Sequence, residues 1–581
     1  MFENFKKSKI IIWVVDLVLV CLLVFTYGFE RFEAYKSYTI LALPILFLLL
    51  IGVNLYQFKT SPANQKLRKT SKINIFLLGF LLILETIVVA INMETTLLES
   101  YVASRFVLEY GLFIYFFIRL TFLVRKIYSA YFNPALLFVS SFALVALTGT
   151  FLLMLPGATT EGITFIDALF TATSAVAVTG LIVVDTAAAF TTFGHSVILI
   201  LIQIGGLGML TFTSFFAYFF KTGSTFSESL YMKDIMGNEQ LGNVMRLTME
   251  IVLFAIVVEI IGALFVFSSL NNLSVVENRG FFALFHAISA FCNAGFSLSS
   301  NNLMGEGLQF NYYLQWILMA LIVFGGLGYG IARNFIIYAK KFVVNLFTKG
   351  DKTFISRVIT LNTKIVVFTT GVLIFVGGLF FWFSEKQSVL AMHDTFFGKL
   401  TTALFSSITP RTAGFNTFDF AEMTVPGILV IILLMWIGAS PASTGGGIKT
   451  TTFALATLNV FSLAKGKENI EIGTRRVPKE AVQKAFAIMV ISLIAIGVGI
   501  LMILIFDPQF TLLQVAFEVF SAYSTVGLTL GITGGLSTAS KLVVILLMLF
   551  GRIGVMNILI GILKHRKTTQ YKYPKENILI T

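Results

Sequence analysis

Apolar runs of about 20 residues, each enough to cross a hydrocarbon core of roughly 30 Å, recur along this chain with short polar breaks between them. Four come first, at about 10–29, 38–56, 74–92 and 106–124. From about residue 130 onward the pattern takes on a three-part grammar that occurs four times. A long run (about 135–156, 246–270, 363–384 and 481–506) is followed by an apolar segment of about 10 residues, then by a second long run. The short segments begin at Phe170, Phe285, Phe405 and Phe517. A helix of about 10 residues rises only about 15 Å, so such a segment enters the membrane and returns. The pattern predicts an all-α polytopic membrane protein of about 12 spans: four N-terminal transmembrane helices, then four helix–re-entrant loop–helix repeats. The boundaries would be 1–130 for the N-terminal extension, 131–225, 226–345, 346–465 and 466–563 for the repeats, and 564–581 for a tail.

The short segments are alike in letters as well as length. They read "LFTATSAVAVTGL", "LFHAISAFCNAGF", "LFSSITPRTAGF" and "AFEVFSAYSTVGL", with the glycines Gly180, Gly295, Gly414 and Gly527 about 115 residues apart. Non-helical backbone at membrane depth is tolerated only when buried in protein or lining water, because an unpaired N–H or C=O in lipid costs several kcal/mol. Four such loops converging on one axis would present rings of backbone carbonyls, which can replace the hydration shell of a cation. Glycine permits the positive φ values that help to aim successive carbonyls inward. The short helix before each glycine directs its partly negative C-terminal end at the axis, which again favours a cation.

Composition and charge narrow the class further. At 57% hydrophobic and 12% charged, with a mean hydropathy of +0.89, the chain is too apolar for a soluble domain. The formal charge of +13 alone suggests nucleic acid or anionic substrates. Its Lys and Arg residues, however, collect in "KTSPANQKLRKTSK" (59–72), "VRKI", "YAKKFVVNLFTKGDK", "AKGKENIEIGTRRVPK" and "KHRKTTQYKYPK". These fall on one side of the bilayer if alternate spans cross it, which reads as cytoplasmic loops with both termini inside, and not as a nucleic-acid surface. The run at about 10–29 follows "KKSK" but exceeds the usual signal core of about 7–15 residues and lacks an A-x-A-like site, so it reads as an uncleaved span. Cys21 and Cys292 lie far apart in apolar surroundings and suggest no disulfide or zinc site. His195, His286, His393 and His565 show no metal-ligand spacing, and H-E-x-x-H and G-x-S-x-G are absent, so an enzyme is not expected.

The four loops, the repeats and the later "IGASPASTGGGIKTTTF" resemble the Trk/Ktr/HKT superfamily of potassium transporters, and the tail "YKYPKENILIT" resembles the end of its Ktr branch. The similarity covers about Asn133 to Thr581. It implies a pseudo-fourfold, single-chain pore in a prokaryotic plasma membrane, each repeat supplying one quarter of a K+ filter. Carried over, the filter residues are Val178, Thr179, Gly180 and Leu181; Asn293, Ala294, Gly295 and Phe296; Thr412, Ala413, Gly414 and Phe415; and Thr525, Val526, Gly527 and Leu528. In the family a serine in place of the first filter glycine goes with sodium preference, and Gly180 tilts the ion toward potassium, with Na+ coupling left open. None of the loops reads TVGYG, so discrimination among potassium, rubidium and caesium is expected to be loose. The resemblance further implies a homodimer on a separate cytosolic RCK/KTN-type nucleotide-binding ring, since no nucleotide fingerprint in a strand–helix setting occurs here. The loops at 340–364 and 464–484 are the expected contact. No organic cofactor is expected.

The second long runs carry glycines too, in "QIGGLGML", "VFGGLGYG", "WIGASPASTGGG" and "LFGRIGVM". Small residues let spans pack closely, which competes with a true break as their explanation. The third run, with Pro441, Gly445, Gly446 and Gly447, cannot stay a straight helix. The family reading makes Thr444, Gly445, Gly446, Gly447 and Lys449 an intramembrane gate loop below the filter, with Arg552 facing it. An arginine on the axis would raise the barrier to cations, whereas pairing in the bundle or snorkelling to its edge is the plainer alternative. Asp185 and Asp419 follow two filters and would either draw cations or cap loops. Asp16, Glu85, Glu109 and Arg119 lie in or beside the N-terminal spans, whose role is open. The rival readings are a 12-span secondary carrier with inverted repeats for another small solute, and a Na+-selective or Na+-coupled member of the same family.

Overall fold

The computed structural model describes residues 45, 47–56, 58–59, 72, 74–83, 115, 134–208, 244–270, 278–305, 307–347, 359–441, 443–467, 469–473 and 475–555. Most of the N-terminal extension, including Asp16, Glu85, Glu109 and Arg119, lies outside them, as do Cys21, His565 and the tail. Within the extension, two helical pieces, Phe47–Tyr56 and Asn74–Ile83, meet through Asn74 Nδ2 donating to Asn54 Oδ1 at 3.1 Å.

The remaining helices fall into four units in chain order. The first holds α1 (Pro134–Leu153), α2 (Phe165–Ala177) and α3 (Thr192–Leu207); the second holds α4 (Val244–Ser269), α5 (Arg279–Cys292), α6 (Tyr312–Leu327) and α7 (Tyr329–Phe347). The third holds α8 (Leu361–Ser384), α9 (Phe396–Ile408), α10 (Val425–Trp436) and α11 (Thr450–Ala464). A two-residue hairpin, β1 (Glu471–Ile472) against β2 (Arg475–Arg476), leads to the fourth unit: α12 (Lys479–Phe506), α13 (Leu512–Ser524) and α14 (Thr538–Ile553).

Of these, α8, α12 and Met249–Ser269 of α4 are long and apolar enough to cross a membrane. They carry outward phenylalanines such as Phe368, Phe375 and Phe383, which are 68–74% exposed, a surface suited to lipid. The second helices of the units are shorter than their apolar runs suggested. α3, α6 and α14 have 16 residues each and stop at Gly208, Gly328 and Gly554, whose φ values of 76°, 77° and 82° take the chain out of the helix. α6 and α7 pass as a span only together, and the chain bends by 99° between them.

The short helices α2, α5, α9 and α13 have 13 or 14 residues, about 20 Å of rise, and start at side-chain caps. Thr164, Asn278, Thr395 and Thr511 accept the N–H of Asp167, Phe281, Gly398 and Gln514 at 3.0–3.4 Å. Each short helix is keyed into the preceding unit of the cycle by one internal phenylalanine. Phe285 packs in the core of the first unit, Phe405 in that of the second, Phe517 in that of the third and Phe170 in that of the fourth. The units therefore close into a cycle. All four rings are at most 1% exposed, so the sequence's most regular letter is a packing device. Phe405→Ala is expected to cost about 3–5 kcal/mol, read as a lower midpoint of thermal unfolding in detergent, because its cavity opens between two units.

Candidate functional site

The chain leaves each short helix through a backbone that L-residues avoid. Val178, Asn293, Thr412 and Thr525 have φ of 56°, 61°, 71° and 53°, and two residues on Gly180, Gly295, Gly414 and Gly527 have φ of 85°, 68°, 77° and 92°. Three of the former are β-branched, for which the left-handed region is a true outlier; such strain persists only where surroundings impose it and gathers at functional sites.

What imposes it is the mutual approach of the four loops. A Cβ on Gly180 would run into the carbonyl of Ala294, on Gly295 into that of Ala413, on Gly414 into that of Val526, and on Gly527 into that of Thr179. The ring closes on itself with no gap. Among the described residues no N–H or O–H is hydrogen-bonded to those four carbonyl oxygens. The hydroxyls of Thr179 and Thr525 are likewise buried without a partner. A ring of uncommitted oxygens has the chemistry that can take the place of a cation's water shell.

Each loop is braced from behind by a hydroxyl four residues after the keyed phenylalanine. Ser174 Oγ accepts from Gly180 N and Ser521 Oγ from Gly527 N, both at 3.1 Å, while Ser289 Oγ donates to Phe296 O at 2.8 Å. In the third loop Thr409 Oγ1 donates to Phe415 O at 2.5 Å, and the path from Phe405 to Gly414 has one residue fewer than its counterparts. One position after the phenylalanine, Glu518 holds the outer turn of the fourth loop through Thr529 (2.8 Å) and Thr533 (2.5 Å). His286 does the same in the second through Ser297 Oγ at 2.9 Å. His286 is thus a packed helix residue, stacked on Phe282.

On the helix side of the ring lies the break between α10 and α11. Ile437 pairs with Ile448, Gly438 N donates to Ile448 O at 2.8 Å, and the chain between them folds back under the loops. Gly445 sits against Thr412 and Gly446 against Thr525 so closely that neither could carry a Cβ; Gly447 has a φ of 65°. The segment is tied to the second unit by Thr444 Oγ1 donating to Phe291 O (3.0 Å) and by Ser440 Oγ donating to Leu327 O (2.5 Å). Lys449 Nζ donates to Gly445 O at 2.6 Å. Arg552 bridges it to the first unit, its guanidinium donating to Thr444 O and to Gly205 O.

Both explanations of the second-run glycines hold, at different residues. A Cβ on Gly205, Gly325 or Gly551 would strike the carbonyl of Val176, Phe291 or Tyr523, at the C-terminal end of a short helix, so these glycines serve packing. Three residues later Gly208, Gly328 and Gly554 end the helices. Arg552 is neither snorkelling nor paired with a carboxylate among the described residues. Asp185 and Asp419 cap one-turn helices through Ala187 N and Ala421 N, both at 2.9 Å. His195 and His393 bond to Thr186 O (2.7 Å) and to Tyr312 and Thr402 (2.9 Å each), and no group of three potential metal-binding side chains occurs among the described residues.

Sequence reasoning missed two buried polar groups beside this site. Glu259, mid-way along α4, accepts from Gln203 Nε2 at 2.9 and 3.0 Å, with Cys292 Sγ 3.8 Å away. Arg411 lies in the third loop itself, 8% exposed. Ionisable residues inside apolar runs are rare enough that both were visible as candidates.

A family model described as "TrkH: Cation transport protein" matches residues 103–571. The chain belongs to the TrkH family of cation transport proteins. Among its relatives, the Ktr system potassium uptake protein B of Vibrio alginolyticus is 38% identical over 442 residues, covering 76% of this chain and 93% of that one. The potassium/sodium uptake protein NtpJ of Enterococcus hirae is 35% identical over 462 residues, covering 77% and 97%. The crystal structure of the potassium transporter TrkH from Vibrio parahaemolyticus shares the fold, with a TM-score of 0.60 over 94% of this chain and 98% of that one at 17% identity. The chain is a membrane subunit of the Trk/Ktr superfamily, a transport protein and not an enzyme.

Proposed function

We propose that this chain is the pore-forming subunit of a potassium uptake system in the cell membrane. K+ passes in single file through the filter formed by residues 178–181, 293–296, 412–415 and 525–528, one quarter from each of the four repeats. The observation that carries this reading is the closed ring of Gly180, Gly295, Gly414 and Gly527 with four uncommitted carbonyls against it. Backbone oxygens arranged in rings can replace the hydration shell of a cation, and the short-helix C-termini behind them add negative potential. Segment 444–449 lies across the exit of the filter, so its displacement, with that of Arg552, opens the path. Two copies pair, both termini face the cytoplasm, and a separate nucleotide-binding ring of the RCK/KTN type drives the gate from below through the basic loops at 340–364 and 464–484.

The test is uptake of rubidium, a potassium analogue, into proteoliposomes, with sodium as competitor. The parent is expected to prefer rubidium over sodium. Gly180→Ser is expected to reduce that preference by about tenfold, equivalent to about 1.4 kcal/mol of lost discrimination. The three nearest atoms to its Cβ all belong to the second loop, so the ring is expected to shift there and not to collapse. Equal preference in parent and variant would remove this ring from the ion path. Movement of another solute in place of both cations would return the carrier reading.

A further inference from the structure

Arg411 follows Pro410 in the third loop and immediately precedes Thr412, yet nothing in the ring uses it. Its guanidinium is buried and touches its neighbours only at the limit of hydrogen bonding: Nη2 lies 3.4 Å from Thr370 Oγ1 and 3.5 Å from Gly438 O. Its Nε–H has no partner, and among the described residues no carboxylate pairs with it. A buried, unpaired cation is among the costliest features a membrane protein can keep.

Arg411 borders a cavity. Ile322 and Leu327 of α6, Thr370 and Ile374 of α8, Ile408 and Ala439 line it, and it has room for one water-sized guest, about 20 Å³. A water needs two to four polar partners, of both senses. Here the walls are aliphatic. The nearby carbonyls of Gly326 and Leu327 are already taken by Ser440 N (3.0 Å) and Ser440 Oγ (2.5 Å). What remains is donors on two lining residues, the unpartnered Nε–H of Arg411 and the hydroxyl of Thr370, beside a full positive charge.

We propose that this cavity binds one small monovalent anion of the chloride class, held by Arg411 and Thr370, which neutralises the guanidinium and fixes the third loop to the Gly438 hinge of the segment beneath it. At about 20 Å³ the space is too small for a polyatomic headgroup phosphate, so a monatomic anion is the class that fits. Because Arg411 touches both Gly438 and, through the backbone, Thr412, the anion would tie the ring to the break between α10 and α11.

Two measurements test this, and neither reads potassium flux, so the outcome is separate from that of the pore reading. Crystals of the full chain grown in bromide are expected to show an anomalous peak beside Arg411 Nε. Thermal unfolding after exchange into gluconate is expected to have a midpoint about 3 °C or more lower, recovered by chloride or bromide with a saturable dose dependence. Arg411→Gln is expected to lose the dependence, and Thr370→Val to need about tenfold more chloride. If Arg411→Gln does not fold, Thr370→Val and the bromide map still decide. A single water only, with no bromide peak and equal midpoints in chloride and gluconate, overturns the proposal, and so does a halide effect that Thr370→Val leaves unchanged.

Discussion

Gly414→Ala is expected to lower rubidium uptake by about 100-fold or more while the protein still extracts and elutes as the parent does. The backbone there has a φ of 77°, which costs an L-residue about 1–2 kcal/mol before any contact is counted. The added Cβ would then strike the carbonyl of Val526 in the fourth loop, with Cα of Gly527 at 3.3 Å, and Cα of Gly295 in the second loop at 3.1 Å. Gly180 differs, because the three nearest atoms to its Cβ all belong to the second loop. The third loop also has the least slack, with one residue fewer between Phe405 and its glycine and a 2.5 Å brace from Thr409 to Phe415. Two neighbouring quarters must therefore move at once, and about 2.7 kcal/mol of added barrier already gives the 100-fold loss. Gly371→Ala, in α8 with nothing within 4 Å, is the control and should leave uptake unchanged. Uptake within threefold of the parent in Gly414→Ala would mean that ions do not pass this ring.

The glycine period was legible because two physical demands, positive φ and close approach, leave no other residue possible, and they recur about every 115 residues. The short helices were legible from length alone. The cyclic keying of Phe170, Phe285, Phe405 and Phe517 was written in the same letters, but a run of apolar residues does not say which unit's core receives it. The braces Ser174, Ser289, Thr409 and Ser521 were equally visible and equally mute, since small hydroxyls are common in membrane helices and only the fold shows what they hold. The second long runs misled by length: hydropathy continues through Gly208, Gly328 and Gly554, whereas the helix does not. Arg411, though visible as an ionisable residue in an apolar run, was passed over because of its position. Placed inside a motif already explained by its glycine, a charged residue draws no separate question.

Arg552→Gln is expected to raise rubidium uptake about tenfold or more when no cytosolic partner is present. The guanidinium donates to Thr444 O in the segment beneath the ring and to Gly205 O at the end of α3, so it latches that segment to the first unit. Among the described residues it has no carboxylate partner, and a unit charge about 4 Å from a passing cation costs roughly 4 kcal/mol at an effective dielectric constant of 20. Glutamine removes the charge and can keep only one of the two carbonyls. Lys449 remains, its ammonium on Gly445 O at 2.6 Å, one carbonyl along from that of Thr444, so the barrier falls in part and not altogether. Arg552→Lys separates the two contributions, because it retains the charge but cannot reach both carbonyls at once. High uptake in Arg552→Gln with parental uptake in Arg552→Lys assigns the closed state to charge. High uptake in both assigns it to the latch. Parental uptake in both would place the barrier elsewhere and leave Arg552 as a packing residue between the first and third units.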